Sequence, residues 1–121
     1  MPRRTELART AEQCARTCEQ LAHTLWHRQD VHRRMRQIRL LQDCAFSCRH
    51  LHLLLIRNRP EARQEAERCA SICERCAREC RKFSDPESRH CAEVCTNCAR
   101  DCQNYVRARS FSYEWDLYSY F

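Results

Sequence analysis

The sequence contains no glycine, only three prolines, and few of the β-branched residues that populate strands. With so little to interrupt a helix and so few strand formers, its 121 residues read as one all-α domain. Long hydrophobic runs are missing too. The longest, Leu51 to Ile56, contains His52 and is far too short to span a membrane. Arg3-Arg4 is followed by polar Thr5-Glu6-Leu7-Ala8-Arg9 and no apolar stretch, so no secretory segment is expected and a reducing cytosol is the expected location. The net charge of +6 comes almost entirely from arginine. The densest run, Arg33, Arg34 and Arg36, has neither interleaved aromatics nor a binding motif beside it, so it reads as a solvated helix face, with no nucleic-acid partner.

Cysteine is the abundant residue. The chain has 12, about a tenth of its length, a density usual in small secreted disulfide scaffolds. Such scaffolds are rich in loops and glycine, and the spacing here is helical. Cys69, Cys73, Cys76 and Cys80 repeat the offsets 0, 4, 7, 11, as do Cys91, Cys95, Cys98 and Cys102. At about 100° per residue these offsets fall within roughly 60°, one stripe on one helix face. Cys14/Cys18 and Cys44/Cys48 carry the first step of the same pattern. Thiols four apart on a helix have Cβ atoms about 5–6 Å apart, too far for a disulfide, which needs about 3.8 Å.

Four helices are expected in an antiparallel up-down-up-down bundle, because the connections are short. The first starts at a Thr5 cap and runs to about Arg28; the second, capped by Asp30, runs from Val31 to about Asn58. Pro60 stands near the first turn of the third, which ends near Phe83. Ser84-Asp85-Pro86-Glu87 supplies a cap, a first-turn proline and an early acid for the fourth, ending near Ala108. The stripes continue through Leu7, Ala11, Leu21 and Leu25; through Gln37, Leu41, Leu51 and Leu55; and through Ala62, Ala66 and Tyr105. Residues 1–109 thus form the bundle. In residues 110–121, Phe111, Tyr113, Trp115 and Leu117 alternate with polar residues at a period of two, which predicts a short non-helical aromatic tail.

Folding the stripes antiparallel gives the core a direction. Cys76, Cys80, Cys91 and Cys95 lie toward the end holding the first and third connections, and Leu7, Leu51, Leu55, Ala62 and Tyr105 close the other. His23, His27, His32, His90 and Met35 fall near the thiol-rich end, which reads as the mouth. His90, beside Cys91, is the best histidine candidate for a metal ligand.

Thiol stripes turned into a core suit a soft metal, and copper(I) above all, with several ions per chain. Each copper(I) held by two thiolates adds a negative charge that the basic exterior partly offsets. Zinc competes through the CxxC pairs Cys73/Cys76 and Cys95/Cys98, but structural zinc sites isolate four ligands around one ion. An iron–sulfur carrier lacks its CxxCxxCxxxCP run. A redox sensor wants an exposed thiol of low pKa, and an enzyme wants a nucleophile or carboxylate constellation that is absent here. Pure packing is the remaining alternative, since free cysteine is a good buried residue.

The stretches CASICERCAREC (Cys69 to Cys80) and HCAEVCTNCARDC (His90 to Cys102) resemble the cysteine-rich four-helix-bundle copper storage proteins of bacteria, and Cys14–Cys18 and Leu40–Cys48 fit the same pattern. The resemblance covers about residues 7 to 105. It implies a bundle that fills with many copper(I) ions through thiolates, often as a homo-tetramer, in a family with exported and cytosolic branches; the missing signal and the histidines near the mouth resemble the cytosolic one. Leu21 and Leu25 stand where the stripe could carry cysteine, and Gln37 and Ala66 where some relatives have it. A lower capacity and an apolar first-helix side follow.

Overall fold

The structure is a computed structural model that describes the backbone of residues 2–119 and the side chains of residues 4–108. The chain forms four helices, α1 (Pro2–Trp26), α2 (Val31–Ile56), α3 (Ala62–Cys80) and α4 (Pro86–Ser119). They close a ring in which each packs on two neighbours, α1 on α2 and α4, α3 on α2 and α4, while the diagonal backbones stay apart. This is the expected antiparallel bundle. At one end Arg4 of α1 bonds Asn58 beyond α2 and the Tyr105 hydroxyl of α4; at the other Arg34 of α2 reaches Asp85 and Ser88 at the start of α4. No helix among the described residues is long and apolar enough to cross a membrane.

The lack of glycine is met locally where α2 ends. Asn58 takes the left-handed conformation (φ 56°), which asparagine tolerates better than most residues. Its N–H donates to the Leu55 carbonyl at 3.1 Å and the Arg59 N–H to the Leu54 carbonyl at 2.9 Å. Two orphan carbonyls of the last turn are thereby paired. α4 starts as the sequence indicates, with Asp85 Oδ2 accepting the Ser88 N–H at 3.0 Å and Pro86 at the first helical position.

Three details at the helix ends differ from expectation. α1 is helical from Pro2, so Thr5 lies inside it. Asp30 makes no side-chain cap bond to α2; its carboxylate takes Arg28 at 2.8 Å and Arg34 at 3.3 Å instead, because charged donors bind a carboxylate more strongly than a backbone N–H. The expected non-helical tail is also not met in the backbone, since α4 continues to Ser119. Neither glycine nor proline follows Pro86, so nothing breaks the helical ladder and the two-residue alternation is overridden. The aromatic side chains of 110–121 lie outside the described residues.

Candidate metal centre

Helices can bring side chains together across a bundle only if what flanks them is small. Ala11, Ala15, Ala45, Ala66, Ala70, Ala77, Ala92 and Ala99 are all buried beside the cysteines. These small residues let the backbones approach, and the central space fills with sulfur. All 12 cysteines are free, and each is wholly shielded from solvent.

The sulfurs meet along and across the ring. Cys18 Sγ lies 3.6 Å from Cys95 and 3.8 Å from Cys91. Cys14 is 3.8 Å from Cys95, and Cys44 is 4.0 Å from the same sulfur across the α2–α4 diagonal. Lower in the core Cys44 and Cys73 are 3.5 Å apart, Cys48 and Cys69 3.5 Å, and Cys48 and Cys73 3.8 Å. Within one helix Cys69–Cys73 and Cys91–Cys95 stand 3.8 and 3.9 Å apart. A metal–sulfur bond of about 2.3 Å lets one ion join sulfurs up to about 4.6 Å apart, so neighbouring thiols can share an ion where they stand.

Three groups of four sulfurs lie within 4.8 Å of one another: Cys14, Cys18, Cys44 and Cys95; Cys14, Cys44, Cys48 and Cys73; and Cys48, Cys69, Cys73 and Cys98. The middle group shares two members with each of the others. Four sulfurs would satisfy one zinc ion, but three separate tetrahedral ions cannot each own a full set drawn from overlapping groups. Bridging thiolates are what the arrangement favours, and those suit copper(I).

The proton load is uneven. Cys80 is raised well above the usual thiol range by its hydrogen bonds to Cys76 and Cys91 and by burial, and Cys102 by Cys69, Cys98 and burial. Cys91 is lowered because Cys18, Cys80 and Cys95 donate toward its sulfur, against the effect of burial.

At the end expected to be the mouth, the histidines do not sit among the thiols. His23, His27, His32 and His90 are exposed, with the His23 and His27 rings edge to face at 4.8 Å; Met35 packs partly buried against the core. Leu21 and Leu25 are buried, so the α1 side of this end is apolar as expected. The groups that close the end are polar. Gln37 Nε2 donates to Cys80 Sγ at 3.4 Å and to Ser88 Oγ at 2.8 Å, and Arg34 Nη1 donates to Gln37 Oε1 at 2.9 Å. Arg34 is only 4 % exposed, which corrects the solvated-run expectation at that position; Arg33 and Arg36 do face solvent. The spacing held the signal, since 34, 37, 41 and 44 carry the α2 stripe one turn further, and Ser88 stands three residues before Cys91 on the α4 stripe.

A protein-family model described as copper storage protein matches residues 2–107. Among solved structures the chain is similar to the Cu(I)-bound copper storage protein BsCsp3, with 24% identity, TM-score 0.83, and coverage of 86% of this chain and 98% of that one. It is similar to the apo form of copper storage protein 3 from Bacillus subtilis at 25% identity and TM-score 0.79, covering 84% and 97% of the two chains. The Nmul_A1745 protein from Nitrosospira multiformis aligns at 24% identity and TM-score 0.78 over 88% and 97%. No curated protein matches.

Proposed function

Since the chain belongs to the copper storage protein family, we propose that it stores copper(I) as cargo on the thiolates of Cys14, Cys18, Cys44, Cys48, Cys69, Cys73, Cys76, Cys80, Cys91, Cys95, Cys98 and Cys102. The observation that carries this is the overlap of the four-sulfur groups. An ion bound in one group borrows sulfurs from the next, so loading builds a thiolate-bridged chain of several ions rather than isolated sites. Nothing in this scheme calls for catalysis, and the protein acts as a buffer, not an enzyme.

His90 is exposed next to Cys91. Neutral imidazole binds copper(I) less strongly than thiolate, and His90 fits a role in handing ions inward rather than storing them. A reducing cytosol, which keeps 12 thiols free, is the compartment this chemistry requires. The family resemblance supports a homo-tetramer.

An anaerobic copper(I) titration of the reduced protein against a competing chelator tests the reading. With one ion per CxxxC pair, about six equivalents bind before the chelator competes, and bridging raises that number. Binding of only one or two equivalents defeats storage. A brown protein with visible absorption as purified favours an iron–sulfur carrier instead, because copper(I) thiolate is colourless in the visible.

A further inference from the structure

Buried polar side chains among the described residues are Arg34, Gln37, Ser47, Glu65, Glu79 and Ser88. Glu65 and Glu79 sit on helix seams and pair outward, with His50 and Arg68 and with Arg36 and Lys82, and Ser47 donates to Glu65. Arg34, Gln37 and Ser88 differ. They form one connected network inside the end of the bundle, and that network touches a core sulfur.

Arginine only donates hydrogen bonds. Its Nη1 must therefore meet the oxygen of Gln37, which turns the amide nitrogen toward Cys80 and Ser88. The guanidinium itself is held by Asp85 Oδ1 at 2.8 Å, Asp30 Oδ2 at 3.3 Å and Ser88 Oγ at 3.3 Å, with the Phe83 ring 4.0 Å from Cζ. From water inward, then, come two carboxylates, an aromatic face, an amide oxygen and a hydroxyl, and finally Cys80 Sγ. Each of these can receive a cation. A cation already occupies the series, and it is tethered to α2.

The opposite end offers an ion far less, with Leu7, Leu51, Leu55 and Ala62 buried there, the Tyr105 hydroxyl bonded by Arg4, and Ser47 and Glu65 bonded to each other on a helix seam. Carrying an unpaired charge through such a layer is costly. We propose that Arg34 closes the polar entrance to the thiol core as a tethered cation, and that Gln37 is the positioning residue between that entrance and Cys80. Copper(I) passes this end by displacing the guanidinium. The identity of the ion rests on the storage reading above; the closed entrance does not.

The test begins without metal. Reduced apo protein is treated with iodoacetamide at fixed pH, quenched at intervals, and mapped cysteine by cysteine by mass spectrometry. In Arg34→Ala, alkylation of Cys80 is expected to accelerate at least tenfold, with Cys76 and Cys91 following, while Cys69 and Cys102 near the other end keep wild-type rates. Arg34→Lys, which keeps the charge but loses the fork, falls between the two. Should Arg34→Ala not fold, Arg34→Lys and Gln37→Ala carry the same comparison. Unchanged Cys80 rates overturn the proposal, and so does equal acceleration at all cysteines, which marks general loosening of the bundle. Stopped-flow copper(I) loading is the second arm. Faster uptake and faster extraction by chelator, at unchanged final stoichiometry, support passage at this end. Faster alkylation with unchanged uptake overturns it, whereas failure of every variant and the wild type to bind copper(I) defeats storage and leaves the alkylation result standing.

Discussion

Asp85 serves Arg34 and its own helix with a single carboxylate: Oδ1 accepts from Arg34 Nη2 at 2.8 Å while Oδ2 accepts the Ser88 N–H at 3.0 Å. The two halves are joined again behind it, because Arg34 also donates to the Ser88 hydroxyl at 3.3 Å. One side chain therefore caps α4 and pins it to α2.

Burial works to raise the Asp85 carboxyl, but hydrogen bonds from Ser88 and the Arg34 guanidinium outweigh it and hold it down at about 2. A folded-state value below the unfolded one gives stability that is complete above the ordinary carboxylate range and is lost as pH falls through the folded value. Asp85→Asn should cost about 1–2 kcal/mol near neutral pH, allowing for solvent screening. The gap from wild type should close between about pH 4 and pH 2. Urea midpoints of the reduced apo protein across that range check it, and a gap that stays constant would show that the Asp85 charge is not what stabilises the joint.

Cys95 is the most connected sulfur, within 4.0 Å of Cys14, Cys18, Cys44 and Cys91. Cys95→Ser should lower copper(I) stoichiometry by more than one ion, because several ions lose a shared ligand. Cys102→Ser, at the edge of the stripe, should lose no more than one. Native mass spectrometry of loaded protein reads both, and equal losses would argue for independent sites.

Thiols must lose protons to become ligands. Cys80 and Cys102 hold theirs strongly, so loading should release protons from these two, and fewer from thiols such as Cys91 that are lowered. Affinity should accordingly strengthen as pH rises. An indicator dye in weak buffer counts the protons, and loading that releases none would mean that the Cys80 and Cys102 sulfurs are not ligands.

His90→Ala should slow copper(I) uptake and leave the final stoichiometry nearly intact. Stopped-flow ultraviolet absorbance of the copper–thiolate chromophore measures the rate. Identical rates remove His90 from the route, and a lost equivalent makes it a storage ligand.

Much of this was legible in the sequence because helical spacing converts directly into position. The stripes at Cys69–Cys80 and Cys91–Cys102 are buried as their offsets require, and the Asp85-Pro86 start of α4 is realised as written. Arg34 departs from the solvated-run expectation because Arg33 and Arg36 beside it are solvated, and a charge run hides the one member that lies on the inward face. Asp30 failed as a cap because two guanidiniums competed for it. The course of α4 past Ala108 was hidden by an alternation that imitates a strand, although no helix breaker was present to enforce one.

The overlap of the sulfur groups has a consequence for movement as well as for capacity. Cys14 and Cys44 belong to two groups, and Cys48 and Cys73 to two. An ion can therefore step from one group to the next while keeping two of its sulfurs, hand over hand, without ever becoming free. Emptying one end draws the column along behind it. Along these three groups the sulfurs can work as a queue, in which one point of exchange serves all of them.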